Sequence, residues 1–312
     1  MNEEFAHDFD TIVNQAKAIS RPVRVAIAGA DVENILLGAF DAQESGFVTP
    51  ILVGNRKKIT DMLNTLGLQD RDYDLQPVSD DVNVVQYSIE MILAGKADVL
   101  MRGNTQTRDF LMPILNKGNH LLYKNLMTHV VMLKIPGCAK ITAISDVTIL
   151  VEPSLEQRKE VIRNMVRALR MLGVEHPNIA LLSLVEKPSF HMRDTVEAQT
   201  LVMQQNEDPF ADCNLVGPIP YDLIVSKEAA RLKNYDCPYC GEFDGIIVPN
   251  LMAGNLMIKA LQMHASANSC GIIMGAKIPI AITSRSDSKE QAYLSLAACA
   301  IMAQREQTEE EQ

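Results

Sequence analysis

Three side chains with chemically useful groups lie close together near the carboxy terminus. They are Ser284, Arg285 and Asp287, which offer a hydroxyl, a guanidinium and a carboxylate. An arginine fork is suited to binding phosphate or carboxylate groups, and a carboxylate can accept a proton during a reaction. This stretch is therefore the strongest candidate for a reactive site in the sequence.

Two short apolar runs precede these polar residues. Residues 271–274 and 278–282 are continuous and rich in β-branched side chains, which predicts two buried strands. A helix is predicted to begin at Ser288. Because open α/β sheets bind ligands at the carboxyl ends of their strands, the three polar side chains are predicted to lie at a ligand-binding edge.

The composition limits the classes of function. The chain has 312 residues, of which 47% are hydrophobic, and a formal net charge of −10. An acidic protein lacks the basic face that nucleic acid binding needs, so we expect no nucleic acid partner. Apolar runs stay well short of the roughly 20 residues of a membrane helix, so we expect no membrane partner.

The cysteine content and the first residues bear on location. The opening residues, MNEEFAHDFD, lack the basic and apolar regions of a secretory signal. Six cysteines in a chain of this length are then expected to be reduced thiols rather than a disulfide framework. Together these features predict a cytoplasmic protein.

A second set of polar residues follows an earlier strand. Residues 98–101 are predicted to form a strand that ends at Arg102, Gly103 and Asn104. A guanidinium at such an edge can bind a phosphate, so these three residues are candidates for binding the substrate or a coenzyme. After the first predicted strand, Asp31 is predicted to cap a helix.

Two strings carry a resemblance to a known family. GAKIPIAITSRSDS and FDGIIVPNLMAGN resemble the signature of the phosphate acetyltransferase and phosphate butyryltransferase family, closer to the butyryl side. The resemblance continues, in the family's order, through GPIPYDLIVSKEAA, IALLSLVEK and RPVRVAIAGAD. It implies two Rossmann-like three-layer α/β/α domains, as in isocitrate and isopropylmalate dehydrogenases, with an active-site cleft between them. The implied domains are 1–134 plus 275–312, and 135–274.

The resemblance also implies a reaction. It is the reversible transfer of a short-chain, butyryl-like acyl group between coenzyme A and inorganic phosphate, which gives acyl phosphate and free coenzyme A. Coenzyme A or acyl-CoA is then a substrate, and neither a metal nor a separate cofactor is expected. The family's usual assembly is a homodimer or a larger homo-oligomer.

The family's Ser-Arg pair matches Ser284 and Arg285, which implies an oxyanion donor and a phosphate ligand. Relatives place a catalytic aspartate at the position of Gln291, and glutamine cannot accept a proton. Asp287 is the nearest carboxylate and is therefore assigned as the base. The spacing of Ser288 and Gln291 instead predicts a capping box.

Further binding residues follow from the resemblance. The element with Asn250, Gly254 and Asn255 is implied to line the acyl and coenzyme side of the site. We expect a helix from Leu256, with Asn255 near its amino terminus, where it binds an anion or merely caps the helix. Lys124 is a candidate to supply a charge that relatives carry two residues earlier.

That lost charge is at Leu122, where relatives carry an arginine. The departures at Leu122 and Gln291 keep open a coenzyme-binding regulatory module without turnover. Phosphate acetyltransferase activity is another alternative. A metal-dependent decarboxylating dehydrogenase is disfavoured, because the sequence near the site lacks paired aspartates at one-turn helical spacing.

The sequence also contains a C-x-x-C pair, Cys237 and Cys240. A zinc ribbon requires a second pair. A glutaredoxin-like redox pair lies between a strand and a following helix, whereas here a helix precedes the pair and a strand follows it. Neither function is therefore assigned, and a metal or redox role stays open.

Overall fold

The protein is described by a computed structural model, which covers residues 8–123, 126–284 and 287–310. Strands and helices alternate over much of this part of the chain. The strands are β1 (Val23–Ala28), β2 (Val48–Gly54), β3 (Asp74–Pro77), β4 (Val99–Arg102), β5 (Thr128–Lys134), β6 (Thr142–Ser145), β7 (Asn178–Leu182), β8 (Asn214–Ile219), β9 (Gly245–Ile247), β10 (Asn268–Met274) and β11 (Ile280–Ala281). The helices are α1 (Phe9–Lys17), α2 (Glu33–Glu44), α3 (Arg56–Leu66), α4 (Val84–Leu93), α5 (Thr107–Leu115), α6 (Leu155–Met171), α7 (Arg193–Glu207), α8 (Tyr221–Val225), α9 (Lys227–Lys233), α10 (Leu251–His264) and α11 (Lys289–Glu310). This confirms the predicted mixed α/β class.

The chain divides into two compact units. One, here called the terminal unit, contains Phe9–Met127 and the segment that begins at Ser269. The other, the central unit, contains Thr128–Asn268. The predicted domain boundaries and the predicted cleft between two domains stay predictions.

In the terminal unit the strand order is β3-β2-β1-β4-β11-β10. Parallel pairing links β3, β2, β1, β4 and β11 in turn, and β10 is antiparallel to β11. The central strand β1 is buried along almost its whole length, as expected for an apolar strand within a parallel sheet. Helix α11 packs against α2 and α1, so its buried residues, such as Leu296 and Ile301, belong to the core of this unit.

In the central unit the strand order is β5-β6-β9-β7-β8. Again most pairs are parallel, and β5 is antiparallel to β6. The core combines strand residues such as Ile144 and Ile246 with Leu223 of α8 and Ile258 of α10. Helix α6 begins with the capping box that the Ser-x-x-Gln spacing predicts, since the side chains of Ser154 and Gln157 bond reciprocally to backbone N–H groups.

The antiparallel pairs correct one expectation. Alternation of strands and helices favours parallel sheets, but the connections from β5 to β6 and from β10 to β11 contain no helix. A parallel pair needs a long crossover, whereas a short loop returns the chain in the opposite direction. The predicted strand over 278–282 is also shorter, because only Ile280 and Ala281 are paired in β11.

Within the described residues, none of the helices is both long enough and apolar enough to cross a bilayer.

An ion pair between Arg24, whose side chain is 36% exposed, and the largely buried Asp98 links β1 to the residue before β4. The carboxylate of Asp98 accepts hydrogen bonds from the backbone N–H of Arg24 at 2.8 Å and from its Nε at 3.0 Å and Nη2 at 2.8 Å. In return, the Asp98 N–H donates to the Arg24 carbonyl at 2.8 Å. Burial, the largest influence, raises the pKa of Asp98, but the bonds and charge of Arg24 together hold that pKa below its ordinary value.

We expect Asp98→Asn to lower the free energy of unfolding by about 2 kcal/mol at pH 7, the scale of a hydrogen bond to a charged group. A carboxylate with a lowered folded pKa stabilises the protein above its unfolded pKa of about 4, and that stabilisation is lost as the pH falls through the folded value. Urea unfolding at pH 7, 4 and 3 should therefore show the gap between wild type and variant shrinking below pH 4. The exposed Asp70, replaced by Asn, is the control. A gap that stays constant down to pH 3 would contradict this account.

Candidate functional site

The carboxyl ends of three strands meet at one edge of the terminal unit. Because β1, β4 and β11 run parallel and are neighbours, the loops that follow them leave from the same edge. These loops carry Asp31, Asn104 and Ser284 respectively. Three loops therefore form the polar edge that the sequence predicted. Two of them, the loops after β4 and β11, contain predicted site residues.

Arg102, the last residue of β4, is buried, with 7% of its surface exposed. Its Nε and Nη2 donate to the carbonyl of Thr105 at 3.1 and 2.8 Å. Its Nη1 donates to the carbonyl of Thr283 at 3.4 Å. The guanidinium therefore connects the loop after β4 to the residue that precedes Ser284. Its predicted contact with a phosphate of the substrate stays a prediction.

Gly103 is needed by close backbone packing. A Cβ atom placed on it would lie 2.0 Å from the carbonyl oxygen of Gly29, at the end of the neighbouring strand β1. The Gly103 N–H donates to the Ala28 carbonyl at 3.0 Å, and the Asn104 N–H to the Gly29 carbonyl at 2.7 Å. These contacts hold the two loops together. This backbone packing explains why residue 103 is a glycine, and a bound ligand is not needed to explain it.

Asn104 is exposed, and its Nδ2 donates to Oδ2 of Asp31 at 3.0 Å. The prediction that Asp31 caps the next helix is wrong, since α2 has Val32 at its N-cap and lacks a capping side-chain bond. Because the Asp31 carboxylate accepts from Asn104, it ties the loop after β1 to the loop after β4.

Ser284 and Asp287 form a small closed turn. The carboxylate Oδ2 of Asp287 accepts from the backbone N–H of Ser284 at 2.7 Å, and the Asp287 N–H donates back to the Ser284 carbonyl at 3.1 Å. Both residues are partly exposed. The Nδ2 of Asn34, from α2, also donates to the Asp287 carbonyl at 2.9 Å. The turn is thus held to the helix that follows β1.

The predicted capping box at the start of α11 is confirmed. The Ser288 N–H donates to Oε1 of Gln291 at 2.7 Å, and the Gln291 N–H donates to Oγ of Ser288 at 3.3 Å. The Gln291 Nε2 in addition donates to Oγ of Ser269 at 2.7 Å. Gln291 therefore has a structural role that does not require a titratable group.

Two predicted site residues, Arg285 and Lys124, lie outside the described residues. Leu122, two residues before Lys124, pairs by an antiparallel bridge with Ala276, in the loop between β10 and β11. The adjoining N–H of Lys277 donates to the carbonyl of Leu121 at 2.7 Å. The segment with Leu122 is thus fastened by its backbone, which is compatible with many side chains at that position.

In the central unit, polar residues gather at the carboxyl ends of β6 and β9. Asp146 follows β6 and is buried, and its carboxylate accepts from four backbone N–H groups. The donors are His129 at 2.9 Å, Thr148 at 3.3 Å, Ile149 at 3.1 Å and Leu150 at 2.6 Å. Burial raises the pKa of Asp146, while these four bonds work in the opposite direction.

Asp146 therefore organises the loop after β6 and fastens it to the start of β5. There, Nδ1 of His129 shares a hydrogen bond with Oγ1 of Thr148 at 2.7 Å. Asp146 is a further residue of this site, for which the sequence motifs predicted no role. An aspartate directly after a predicted strand is the signal that could have identified it, because ligand-binding and loop-ordering carboxylates gather at that edge.

The helix α10 begins beside this loop, but earlier than predicted. It starts at Leu251, and Asn250 is its N-cap, accepting from the Ala253 N–H at 3.0 Å. The expected start at Leu256 is wrong, and so is the position of Asn255 near the amino terminus of the helix. Asn250 is thus the amide at the N-cap, the position predicted for Asn255.

Gly254 and Asn255 instead contact the loop after β6. A Cβ on Gly254 would lie 2.8 Å from Cγ2 of Val248 and 3.0 Å from the Asp146 carbonyl oxygen, so only glycine lets α10 pack this closely. Asn255 is exposed, and its Nδ2 donates to the Val147 carbonyl at 3.3 Å. The structure thus brings Asn250, Gly254 and Asn255 together with the Asp146 loop in one unit.

A protein metal site usually needs several His, Cys, Asp or Glu side chains close together. In the described ranges there are no groups of three or more His, Cys, Asp or Glu side chains that could hold a metal ion.

Comparison with known proteins agrees with the geometry. The family model described as phosphate acetyl/butaryl transferase matches residues 73–301. Phosphate butyryltransferase from Clostridium beijerinckii is 28% identical over 298 residues, which cover 96% of this chain and 98% of the relative. Phosphate acetyltransferase from Rhizobium meliloti is 29% identical over 297 residues, or 95% of this chain and 94% of the relative.

A solved structure is similar over nearly the same extent. It is a branched-chain phosphotransacylase from Enterococcus faecalis, with 29% sequence identity and a TM-score of 0.79, covering 90% of this chain and 98% of that chain. The chain belongs to the phosphate acetyl/butaryl transferase family. This confirms the resemblance that the sequence motifs indicated.

Proposed function

We propose that this protein is a phosphate acyltransferase, which reversibly transfers a short-chain acyl group between coenzyme A and inorganic phosphate. A butyryl-like group is the preferred substrate in this proposal. The observation that carries it is the Ser284–Asp287 turn at the edge where β1, β4 and β11 end, in a chain that belongs to this family. Coenzyme A and phosphate are the small-molecule partners, and the reaction needs no further cofactor.

The chemistry starts from the thiol of coenzyme A, which is mostly protonated at neutral pH because thiol pKa values are about 8.5. In the proposal, the carboxylate of Asp287 accepts this proton as the sulfur attacks the carbonyl carbon of the acyl phosphate. A carbon–sulfur bond forms, the bond between the carbonyl carbon and the phosphate oxygen breaks, and the proton passes to the released phosphate. The reverse reaction follows the same steps in the opposite order.

Ser284 stabilises the oxyanion that forms on the carbonyl oxygen. Since the backbone N–H of Ser284 donates to Asp287, the donor that this residue presents to the oxyanion is its hydroxyl. Preorganised donors of this kind commonly contribute about 10²–10³-fold to kcat. Arg285, by its match to the family's Ser-Arg pair, binds the phosphate group.

Asp287 then has two functions in the proposal. One carboxylate oxygen holds the turn through the Ser284 N–H, and the carboxylate as a whole is the proton acceptor. A carboxylate has about four acceptor positions on its two oxygens, so one group can both hold the turn and accept a proton. The turn thereby fixes the base at a constant position relative to Ser284, which suits general base catalysis.

The residues of the central unit are proposed to bind substrate. Asn250 lies at the amino terminus of α10, where backbone N–H groups and the helix dipole favour an anion such as a phosphate of coenzyme A. Asn255 adds an exposed amide beside the Asp146 loop. Gly254 is proposed to act through packing, by keeping α10 against that loop.

At the edge of the terminal unit, Asn104 is proposed to contact substrate through its exposed amide. Arg102 is proposed to act as a positioning residue, since its guanidinium donates to the carbonyls of Thr105 and Thr283. A guanidinium so placed supports the loop that carries Ser284, and Gly103 lets that edge pack against Gly29.

A series of acyl-CoA substrates tests the proposal. Purified protein is incubated with phosphate and with acetyl-, propionyl-, butyryl-, isobutyryl- or hexanoyl-CoA, and release of free thiol is followed. We expect release that depends on phosphate and has its highest kcat/KM with four-carbon groups. One methylene is worth only about 1–3 kcal/mol, so neighbouring lengths should differ by about 10–200-fold at most.

Other outcomes distinguish the alternatives. A higher kcat/KM with acetyl-CoA would identify a phosphate acetyltransferase. If thiol is not released with any acyl-CoA although coenzyme A binds in calorimetry, the protein would be a coenzyme-binding regulatory module, and the proposed function would be wrong.

A homodimer or larger homo-oligomer is also part of the proposal. Helix α10 presents three large apolar side chains on one face, with Met252 76%, Leu256 68% and Met263 76% exposed. A second copy carries the same net charge of −10, so self-association favours a surface without acidic groups. The α10 sequence, LMAGNLMIKALQMH, contains no acidic residue. We therefore propose that a second copy of the chain covers this face.

We expect Leu256→Glu to shift the protein to monomer in light scattering at micromolar concentration, because two buried charges would face each other across the interface. Leu232→Glu is the matched control, since Leu232 is equally exposed at 67% but lies on α9. An unchanged oligomer in the Leu256 variant, or dissociation in both, would contradict this assignment of the interface.

A cytoplasmic location completes the proposal. All six cysteines lie within the described residues as thiols rather than disulfides, which suits a reducing compartment.

A further inference from the structure

The C-x-x-C pair lies in a tight turn between α9 and β9. The N–H of Cys240 points to the carbonyl of Cys237 at 3.4 Å, which closes a four-residue β-turn. In a β-turn the first and last Cα atoms lie less than about 7 Å apart. Disulfides join cysteines whose Cα atoms are usually about 4.4–6.8 Å apart, so the backbone already has a spacing that a disulfide can bridge.

Neighbouring segments hold this turn in place. The N–H of Gly241 donates to the Ile224 carbonyl at 2.9 Å, and the N–H of Glu242 donates to the Tyr239 carbonyl at 2.8 Å. The rings of Tyr239 and Phe243 make an edge-to-face contact with centroids 6.3 Å apart. The hydrogen bond to α8 and the aromatic contact therefore stabilise the turn that contains the two cysteines.

The two thiols differ in access. Cys240 is buried, 2% exposed, within the core of the central unit, and Cys237 is partly exposed and packs against that core. Burial raises the pKa of Cys240 to about 11, and the neighbouring Cys237 thiol adds to the increase. An attacking reagent reaches Cys237 first.

We propose that Cys237 and Cys240 are a reversible dithiol site, which forms an intramolecular disulfide by exchange with a low-molecular-weight disulfide. The pair supplies two of the four ligands that a structural zinc ion takes, and the described residues add no third ligand, which favours a disulfide over a metal. This inference does not depend on the acyl transfer reaction.

The exchange proceeds in two displacements. The Cys237 thiol loses its proton and attacks one sulfur of the small disulfide, which forms a mixed disulfide and releases the first small thiol. The Cys240 thiol then loses its proton and attacks the Cys237 sulfur, which releases the second small thiol. The protein is oxidised by two electrons, and the small disulfide is reduced to two thiols.

Peptide mapping tests this proposal on the full chain. The protein is incubated with bis(2-hydroxyethyl) disulfide, quenched in acid, alkylated and digested with trypsin. Residues 234–259 form one tryptic peptide that contains Cys237, Cys240 and no other cysteine. We expect this peptide to lose two hydrogens in mass and to resist alkylation, and dithiothreitol to restore both thiols. Cys138, which is exposed and lies in the separate peptide 135–140, should instead keep the mixed disulfide.

Single variants separate the two steps. Cys240→Ser should retain the mixed disulfide on Cys237, because the resolving thiol is missing. Cys237→Ser should leave Cys240 unmodified, because it is buried, and Cys138→Ser should not change the reaction of the pair. Circular dichroism checks that each variant is folded. A stable mixed disulfide on Cys237 in the wild-type protein, or a pair that reacts no faster than Cys138, would overturn the proposal.

Discussion

Replacing Asp287 by asparagine is expected to lower kcat for acyl transfer by about 10²–10³-fold, within the range that general bases contribute. The fold should remain, because the amide oxygen of asparagine can still accept the hydrogen bond from the Ser284 N–H. The variant therefore removes the proton acceptor and keeps the turn. KM for the acyl-CoA should change little, since the lost function belongs to the chemical step.

A pair of further variants makes this experiment decisive. Asp287→Ala removes both the base and the bond to Ser284, so it should lower kcat as much and also reduce the free energy of unfolding by about 1 kcal/mol. Asp31 is a second carboxylate at the same edge and is held by Asn104. Asp31→Asn should retain near-normal turnover. If Asp31→Asn lost turnover and Asp287→Asn did not, the base would be Asp31.

Replacing Arg102 by methionine is expected to lower the free energy of unfolding by roughly 2–4 kcal/mol. The change removes the donors to the carbonyls of Thr105 and Thr283 and leaves these groups in a largely buried setting. Loss of the link to Thr283 should also let the Ser284 loop shift, and a misplacement of about 1 Å can cost about 10²-fold in rate. We therefore expect a lower kcat together with a lower stability.

Kinetic measurements distinguish a positioning role of Arg102 from direct binding of phosphate. If Arg102 only positions the loop, Arg102→Lys should partly restore stability and kcat, and KM for phosphate should stay near the wild-type value. If it binds phosphate directly, KM for phosphate should rise strongly in both variants while stability changes little. The exposed Arg108, replaced by Met, is the matched control for loss of a cation from the same region.

Local features of the site could be predicted from the sequence. The capping box of Ser288 and Gln291 was correct, because such a motif depends on two residues three positions apart and on little else. The start of α10 was wrong by five residues, although the cap signal at Asn250 was present. Gly254 and Asn255 gave a competing signal, because glycine and asparagine are also common at helix ends.

The partners of Arg102 and Asp31 could not be predicted in this way. Arg102 bonds to the carbonyl of Thr283, 181 residues further along the chain, and Asp31 bonds to Asn104, 73 residues away. Both side chains have types that suit ligand binding or capping equally well. Only the pairing of β1 with β4 and of β4 with β11 determines which groups they meet.

The sequence alone therefore determined the mixed α/β class, the family and the candidate residues at the ends of strands. These depend on apolar runs, caps and short motifs, each of which is specified by neighbouring residues. The tertiary structure decided which of those residues contact one another: Ser284 with Asp287 in a turn, Arg102 with the loop before Ser284, and Asp146 with four backbone N–H groups. The contact of Arg102 with Thr283 depends on the pairing of β4 with β11, and the contact of Asp146 with His129 on the pairing of β5 with β6, which short-range sequence patterns do not specify.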